Sequence, residues 1–401
     1  MVPRFEPFAG LRYQTSANLD AFTAPPYDVI DETERAELAE RSPYNAVRLE
    51  LPVEADAEEG EDRYQAAARL LARWSEIGMV APDDPASFYL YRMGYHDDQG
   101  RPRQTTGVIG ALGLEASGEG DILPHEHTTA RAKSDRLQLL EATKCNLSPI
   151  WCLSMAQGLS SMVEPLGPPF ARCTDDDGVH HRIWRVNSPA IVDTIVEVVE
   201  SAPVIIADGH HRYETALAYR DQRAEARPGG HDLVMALVVE LAEDEISVAP
   251  IHRLLSGLPP DLDVVEALSA RFRVEEIAGA DPAHLVATMV DAGALGLTLP
   301  DGRLWLLHPR AEAFPDDLLD LDASRADLAR TDLPPHEVTY RNDVAQVVAQ
   351  VKGSVAAGLL LRPATVDQIA DAARRGVRMP PKTTFFHPKP RTGMVFRSID
   401  R

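Results

Sequence analysis

The spacing of apolar residues changes period abruptly at Asp208 and Gly209. Val204, Ile205, Ile206 and Ala207 form a short apolar run suited to a buried strand, and beyond Gly209 the residues Tyr213, Ala216, Leu217 and Arg220 recur at helical spacing. The pattern predicts a strand passing directly into a helix. Residues 31–40 read as a short acidic helix, and SPYNAVRLELP predicts a turn entering a strand through Val47, Leu49 and Leu51. Tyr64, Ala67, Leu70, Leu71, Trp74 and Ile77 share one helical face, and Gly78 ends that helix. Residues 88–95 and 104–114 predict two strands of a hairpin around 97–100. The continuous apolar run 233–241 suits a strand buried on both faces.

Further along, TDDDGVHHRIWRV predicts a hairpin turn in which Asp175 to Asp177 are solvated and His180 and His181 open the return strand. Residues 191–201 predict a helix that feeds the central strand. Residues 262–292 hold two helical patterns and 295–308 a hairpin across Asp301 and Gly302, a structural subdomain without convergent polar chemistry. A helix through Val344 and Val351, a strand at 355–361 and a helix at 364–375 closed by Gly376 return the chain to a core. The tail RMPPKTTFFHPKPRTGMVF carries Phe385, Phe386 and Phe396, whose burial predicts that it docks, bringing Lys382, His387 and Lys389 with it.

A chain of 401 residues exceeds one hydrophobic core. The expected fold is α/β (α+β), a mixed-sheet core with additional subdomains. The expected regions are 1–120, 121–260 (core), 261–340 (structural) and 341–401 (docking on the core).

Forty basic against 62 acidic residues give a net charge of −22, which opposes broad contact with DNA or an anionic membrane but permits a small anion in a local basic pocket. Cys145, Cys152 and Cys173 follow no CxxC or Cys/His spacing, and an odd count provides no disulfide framework, which points to a reducing compartment. The N-terminus has no apolar h-region, and no apolar run approaches the ~20 residues of a spanning helix. The expected location is the cytosol, with no nucleic-acid or membrane partner.

Four polar functions converge on the central turn. His210, His211 and Arg212 occupy the first turn of the helix, where backbone N–H groups lack intrahelical acceptors and attract an anion by hydrogen bonding and dipole together. Gly209 permits close approach, Arg212 offers a planar fork for phosphate or carboxylate, the histidines offer proton or metal chemistry, and Asp208 can cap the helix or hold a cation. In TAPPYDVI, Pro25 and Pro26 force an extended path and aim Tyr27 and Asp28. In ILPHEHTTARAKSDRLQLLEATK, His125 and His127 share one side of an extended segment and Glu126 the other, followed by Lys133, Asp135, Arg136 and Lys144 on or beside a helix. SVAPIHRLL adds His252 and Arg253 at a strand end.

Seven segments together resemble one family of bacterial and archaeal proteins, the domain-of-unknown-function family numbered one thousand and fifteen. They are PPYDVI, YNAVRLELP, HEHT, DRLQLLEATKCNLSPI, ADGHHRYETAL, PIHRLL and MPPKTTFFHPK, spread over nearly the whole chain. The DGHHR turn also resembles the phosphate-binding turn of the ParB and sulfiredoxin superfamily, which includes free serine kinases. That resemblance implies a nucleotide-phosphate role for Asp208, Gly209, His210, His211 and Arg212. Sulfiredoxins carry a reactive cysteine after the glycine where this chain has His210, which disfavours thiol repair.

The expected function is therefore phosphoryl transfer from ATP or ADP, with Mg²⁺, to the hydroxyl of free serine or a similar small-molecule substrate. In that scheme Gly209, the following N–H groups and Arg212 cradle phosphates, and His211 steadies the transferring group. Glu126 is the expected general base, with Asp28 its rival. Lys144, Arg253 and Lys382 are secondary phosphate or carboxylate contacts, and Asp208 is the expected metal ligand. Two alternatives are a metal-dependent hydrolase using His125, His127, Asp208 and His210 or His211, and a nucleotide-binding regulatory module without turnover.

Overall fold

The computed structural model describes residues 2–15, 17–97, 100–116, 120–124, 130–162, 165, 167–223, 227–277 and 282–400. They divide into two compact units, one of residues 1–247 with 388–401 and one of residues 248–387. The regions expected from sequence, bounded near 120, 260 and 340, do not coincide with these units. The sequence pattern marks single elements, whereas a unit is defined by contacts between distant ones.

The first unit is built on a mixed nine-stranded sheet. Its order is Ile122–Pro124, Val204–Asp208, Ile150–Ser154, Leu233–Glu240, Pro102–Gly113, Phe88–His96, His180–Val186 and Ala171–Thr174, with Phe5–Glu6 also paired to Pro102–Gly113. Val204–Asp208 runs parallel to Ile122–Pro124 and antiparallel to Ile150–Ser154, while Leu233–Glu240 runs parallel to Ile150–Ser154 and antiparallel to Pro102–Gly113. Seven successive residues of Leu233–Glu240 are buried, which explains its unbroken apolar sequence. Phe5, Phe88, Val108, Ile150, Val204, Ile206 and Val238 pack with Ile195 and Val199 of helix Pro189–Val199 and Tyr213 and Ala216 of helix His210–Asp221.

The tail does dock. Phe396–Ser398 joins a four-stranded sheet between Gly10–Tyr13 and Cys145–Asn146, and Phe396 is fully buried.

One expected strand is a helix. Val47–Glu50 forms a short helical turn, because Asn45 anchors its entrance. The Asn45 Oδ1 accepts from Val47 N at 2.9 Å, and its Nδ2 donates to the Ala21 and Thr23 carbonyls. Val47, Leu49 and Glu50 are all buried.

The second unit holds a six-stranded sheet in the order Phe272–Ile277, Leu304–Pro309, Leu295–Thr298, Val355–Leu360, His252–Ser256 and Glu337–Arg341. The two helical patterns read at 262–292 are helices Val264–Ser269 and Pro282–Ala292, with the strand Phe272–Ile277 between them. Among the described residues no helix is long and apolar enough to cross a membrane.

Candidate functional site

The strand Val204–Asp208 ends at a bulge against Ile150–Ser154, and Gly209 follows with φ 93°, in the left-handed region. A side chain there would be strained by its backbone and crowded, since an added Cβ would stand 3.0 Å from both Arg212 Nη2 and Ile150 Cγ2. This single left-handed residue reverses the chain into helix His210–Asp221, so the first-turn N–H groups of residues 210–212 open at the end of the strand. Asp208 does not cap the helix; Gly209 holds the cap position and no side chain caps it.

Asp208 is instead held by two cations. Its Oδ2 accepts from Arg212 Nη2 at 2.9 Å and its Oδ1 from Lys389 Nζ at 2.9 Å. Burial alone would raise the Asp208 proton affinity, but Lys389, then Arg212, outweigh it and hold the carboxyl below its usual range. The same logic applies to Lys389, where burial is overcome by Asp208 and Asp28 and the ammonium is held above its usual range. Lys389 Nζ also donates to Asp28 Oδ2 at 3.0 Å. The PPYDVI corner thus reaches this turn, as Tyr27–Val29 forms a 3₁₀ turn after Pro26 and places Asp28 beside Lys389.

Arg212 faces inward. Its Nη1 donates to Ser148 Oγ at 3.0 Å and to the Pro149 carbonyl at 2.6 Å, and its side chain is 11% exposed. The guanidinium expected to clamp a phosphate therefore ties the turn to the segment before Ile150–Ser154. His210 is buried and His211 half-buried, which leaves His211 the more accessible of the pair.

Beside the turn lies a group that the sequence did not single out. Glu50 is 3% exposed, with Oε1 3.5 Å from Arg136 Nη1 and accepting from Ser148 Oγ at 3.4 Å. Burial raises its proton affinity, opposed by Arg136 and Arg212. Arg136 also donates to the Glu50 carbonyl and to Asp135 Oδ2, and its guanidinium stacks 4.4 Å from the centre of the Tyr27 ring. The reading of 47–51 as a strand hid Glu50, because it treated the polar positions of that segment as outward-facing.

Of the other expected contacts, Lys144 belongs to the first unit and Arg253 and Lys382 to the second. Lys144 is exposed and pairs with Asp400 at 3.3 Å, and its charge is felt at Tyr219, nine residues past His210 and so roughly 13 Å along the helix. Arg253 is fully buried within the second unit, donating to the carbonyls of Ile251 and Lys382 and standing 3.6 Å from Asp327. Lys382 belongs to the same unit and meets Arg253 through its backbone.

Glu126, with His125 and His127, lies outside the described residues. Pro124, the last described residue before them, stands opposite Ile206 in the parallel ladder, at the same end of the sheet as the turn. Among the described residues no group of three or more His, Cys, Asp or Glu is placed to hold a metal ion. Both oxygens of Asp208 are engaged by cationic side chains, so the residues as arranged do not fit direct Mg²⁺ coordination by Asp208.

No curated protein matches this chain. Among solved structures it is similar to SbnI with C-terminal truncation from Staphylococcus aureus, at 12% identity and TM-score 0.40 over 71% of this chain and 85% of that one. It is also similar to a conserved hypothetical protein from Pyrococcus furiosus, at 15% identity and TM-score 0.34 over 67% and 88%. A third similarity is to a free serine kinase in complex with AMP, at 14% identity and TM-score 0.35 over 66% and 83%. Residues 5–330 match a family model, and the chain belongs to that family, described as Protein of unknown function (DUF1015).

Proposed function

We propose that the Asp208–Arg212 turn binds the phosphates of ATP or ADP and that the protein transfers a phosphoryl group to the hydroxyl of a small metabolite. Free serine is the acceptor implied by the resemblance of the DGHHR turn. The observation that carries this reading is Gly209 at φ 93°, which aims a helix N-terminus out of the sheet end beside an immobilised arginine.

In this reading the backbone N–H groups of residues 210–212 cradle the phosphates, and Asp208 and Arg212 hold the turn in shape. His211 steadies the transferring group, and Mg²⁺ enters with the nucleotide. The acceptor's proton passes to a carboxylate near the turn, for which the sequence puts forward Glu126 and Asp28. The reaction needs no nucleic acid or membrane.

The test is incubation of the protein with Mg²⁺, ATP or ADP and a pool of hydroxylated metabolites, followed by mass spectrometry. A phosphorylated metabolite is the expected result. Absence of both nucleotide binding and any such product would refute the reading.

A further inference from the structure

A cavity of about 50 Å³ lies beside the turn, its polar lining supplied by Glu50, Arg136, Asn146, Ser148, Arg212 and Thr215. Three polar atoms of these side chains are buried with no hydrogen-bond partner among the described residues: Glu50 Oε2, Arg212 Nε and Thr215 Oγ1. Buried polar atoms left unpaired cost stability, so three around one cavity call for an occupant. They are also close in the structure. Ser148 Oγ bridges Glu50 Oε1 and Arg212 Nη1, and Thr215 follows Arg212 by three residues on the same helical face.

The unmet set defines the occupant. Glu50 Oε2 is an acceptor, Arg212 Nε–H a donor, and the Thr215 hydroxyl either. A phosphate or carboxylate oxygen would satisfy Arg212 but meet the Glu50 carboxylate, and an ammonium would satisfy Glu50 but meet Arg212. A hydroxyl suits both, accepting from Arg212 Nε and donating to Glu50 Oε2. Since roughly 10–15 Å³ of such space admits one water, the cavity of about 50 Å³ has room for a few heavy atoms, enough for the hydroxyl-bearing end of a metabolite.

We propose that this cavity seats the acceptor hydroxyl and that Glu50 receives its proton, an inference that rests on the phosphotransferase reading above. In the step, the hydroxyl oxygen forms a bond to the terminal phosphorus while the bond from that phosphorus to the nucleotide's bridging oxygen breaks. The nucleotide leaves one phosphate shorter, and the hydroxyl proton ends on Glu50 Oε2, converting carboxylate to carboxylic acid. Burial raises the proton affinity of Glu50 above that of an ordinary carboxylate, opposed by Arg136 and Arg212, which favours its receiving the proton. Asp28, by contrast, is engaged by Lys389.

Glu50→Gln retains shape and removes basicity. It is expected to bind ADP with unchanged affinity by calorimetry, to lose turnover by about 10²-fold or more, and to lose the acidic limb of the pH–rate profile. Thr215→Val is expected to raise the acceptor's KM with ADP affinity unchanged, and it decides the matter if Glu50→Gln does not fold.

Wild-type turnover in folded Glu50→Gln, turnover lost only in Glu126→Gln or Asp28→Asn, or an unchanged KM in Thr215→Val would overturn the Glu50 assignment and leave the phosphotransferase reading standing. No phosphorylated product from the wild-type protein with any acceptor would overturn both.

Discussion

Lys389 Nζ donates to Asp208 Oδ1 across 2.9 Å, joining residues 181 positions apart in the chain. The contact locks the C-terminal segment onto the strand end that carries the candidate anion site. Removing one partner from such a buried pair leaves the other charge uncompensated, so Lys389→Met is expected to cost about 3 kcal/mol at pH 7.

The pH dependence of that cost follows from the two shifts. The Asp208 carboxyl is held low, so its contribution is present above the unfolded carboxyl's value of ~3.9 and is lost as pH falls through the lower folded value. Lys389 is held high, so its contribution is present below ~10.4 and is lost as pH rises through the raised folded value. The difference in unfolding free energy between wild type and Lys389→Met, measured in urea, should be flat from about pH 5 to 9 and shrink in stronger acid. A difference that grows on acidification would contradict the pairing.

Gly209→Ala places a Cβ in a left-handed residue and within 3.0 Å of Arg212 Nη2. The expected loss is about 1–2 kcal/mol from backbone conformation, with weakened nucleotide affinity as the turn shifts. Chemical denaturation and ADP titration check both. Wild-type values in each would mean that the turn tolerates another geometry.

Arg212→Ala removes donors to Ser148, Pro149 and Asp208 at once. Loss of charged hydrogen bonds of this kind costs about 1.5–3 kcal/mol of stability, and the turn they hold in shape is expected to bind nucleotide more weakly. Arg212→Lys should rescue little, because one ammonium on a flexible stem does not reproduce a planar fork directed at separate acceptors. ADP affinity unchanged in a folded Arg212→Ala variant would remove the turn from the site.

Phe396 is fully buried in the small sheet, so Phe396→Ala is expected to destabilise the first unit by about 3–5 kcal/mol. Truncation before Pro388, which also removes Lys389, should abolish cooperative unfolding measured by circular dichroism. A truncated chain that still unfolds cooperatively and binds ADP would make the tail dispensable.

From the sequence alone, the strand and the helix of the central turn could be read, as could the helix Arg63–Glu76, the hairpin of Phe88–His96 with Pro102–Gly113, and the tail's need for burial. Each depends on residues close in the chain: the period of apolar positions or aromatics that water disfavours.

The tertiary structure alone decided that Val47–Glu50 is helical, that Arg212 faces inward, that Lys389 meets Asp208, and that Arg253 and Lys382 belong to the second unit. These outcomes depend on partners distant in the chain, such as Ala21 and Thr23 for Asn45 or Pro149 for Arg212. Local pattern reports which side of an element is buried. A buried polar group must also find a matching partner, and which one it meets is set only when the strands and helices have packed.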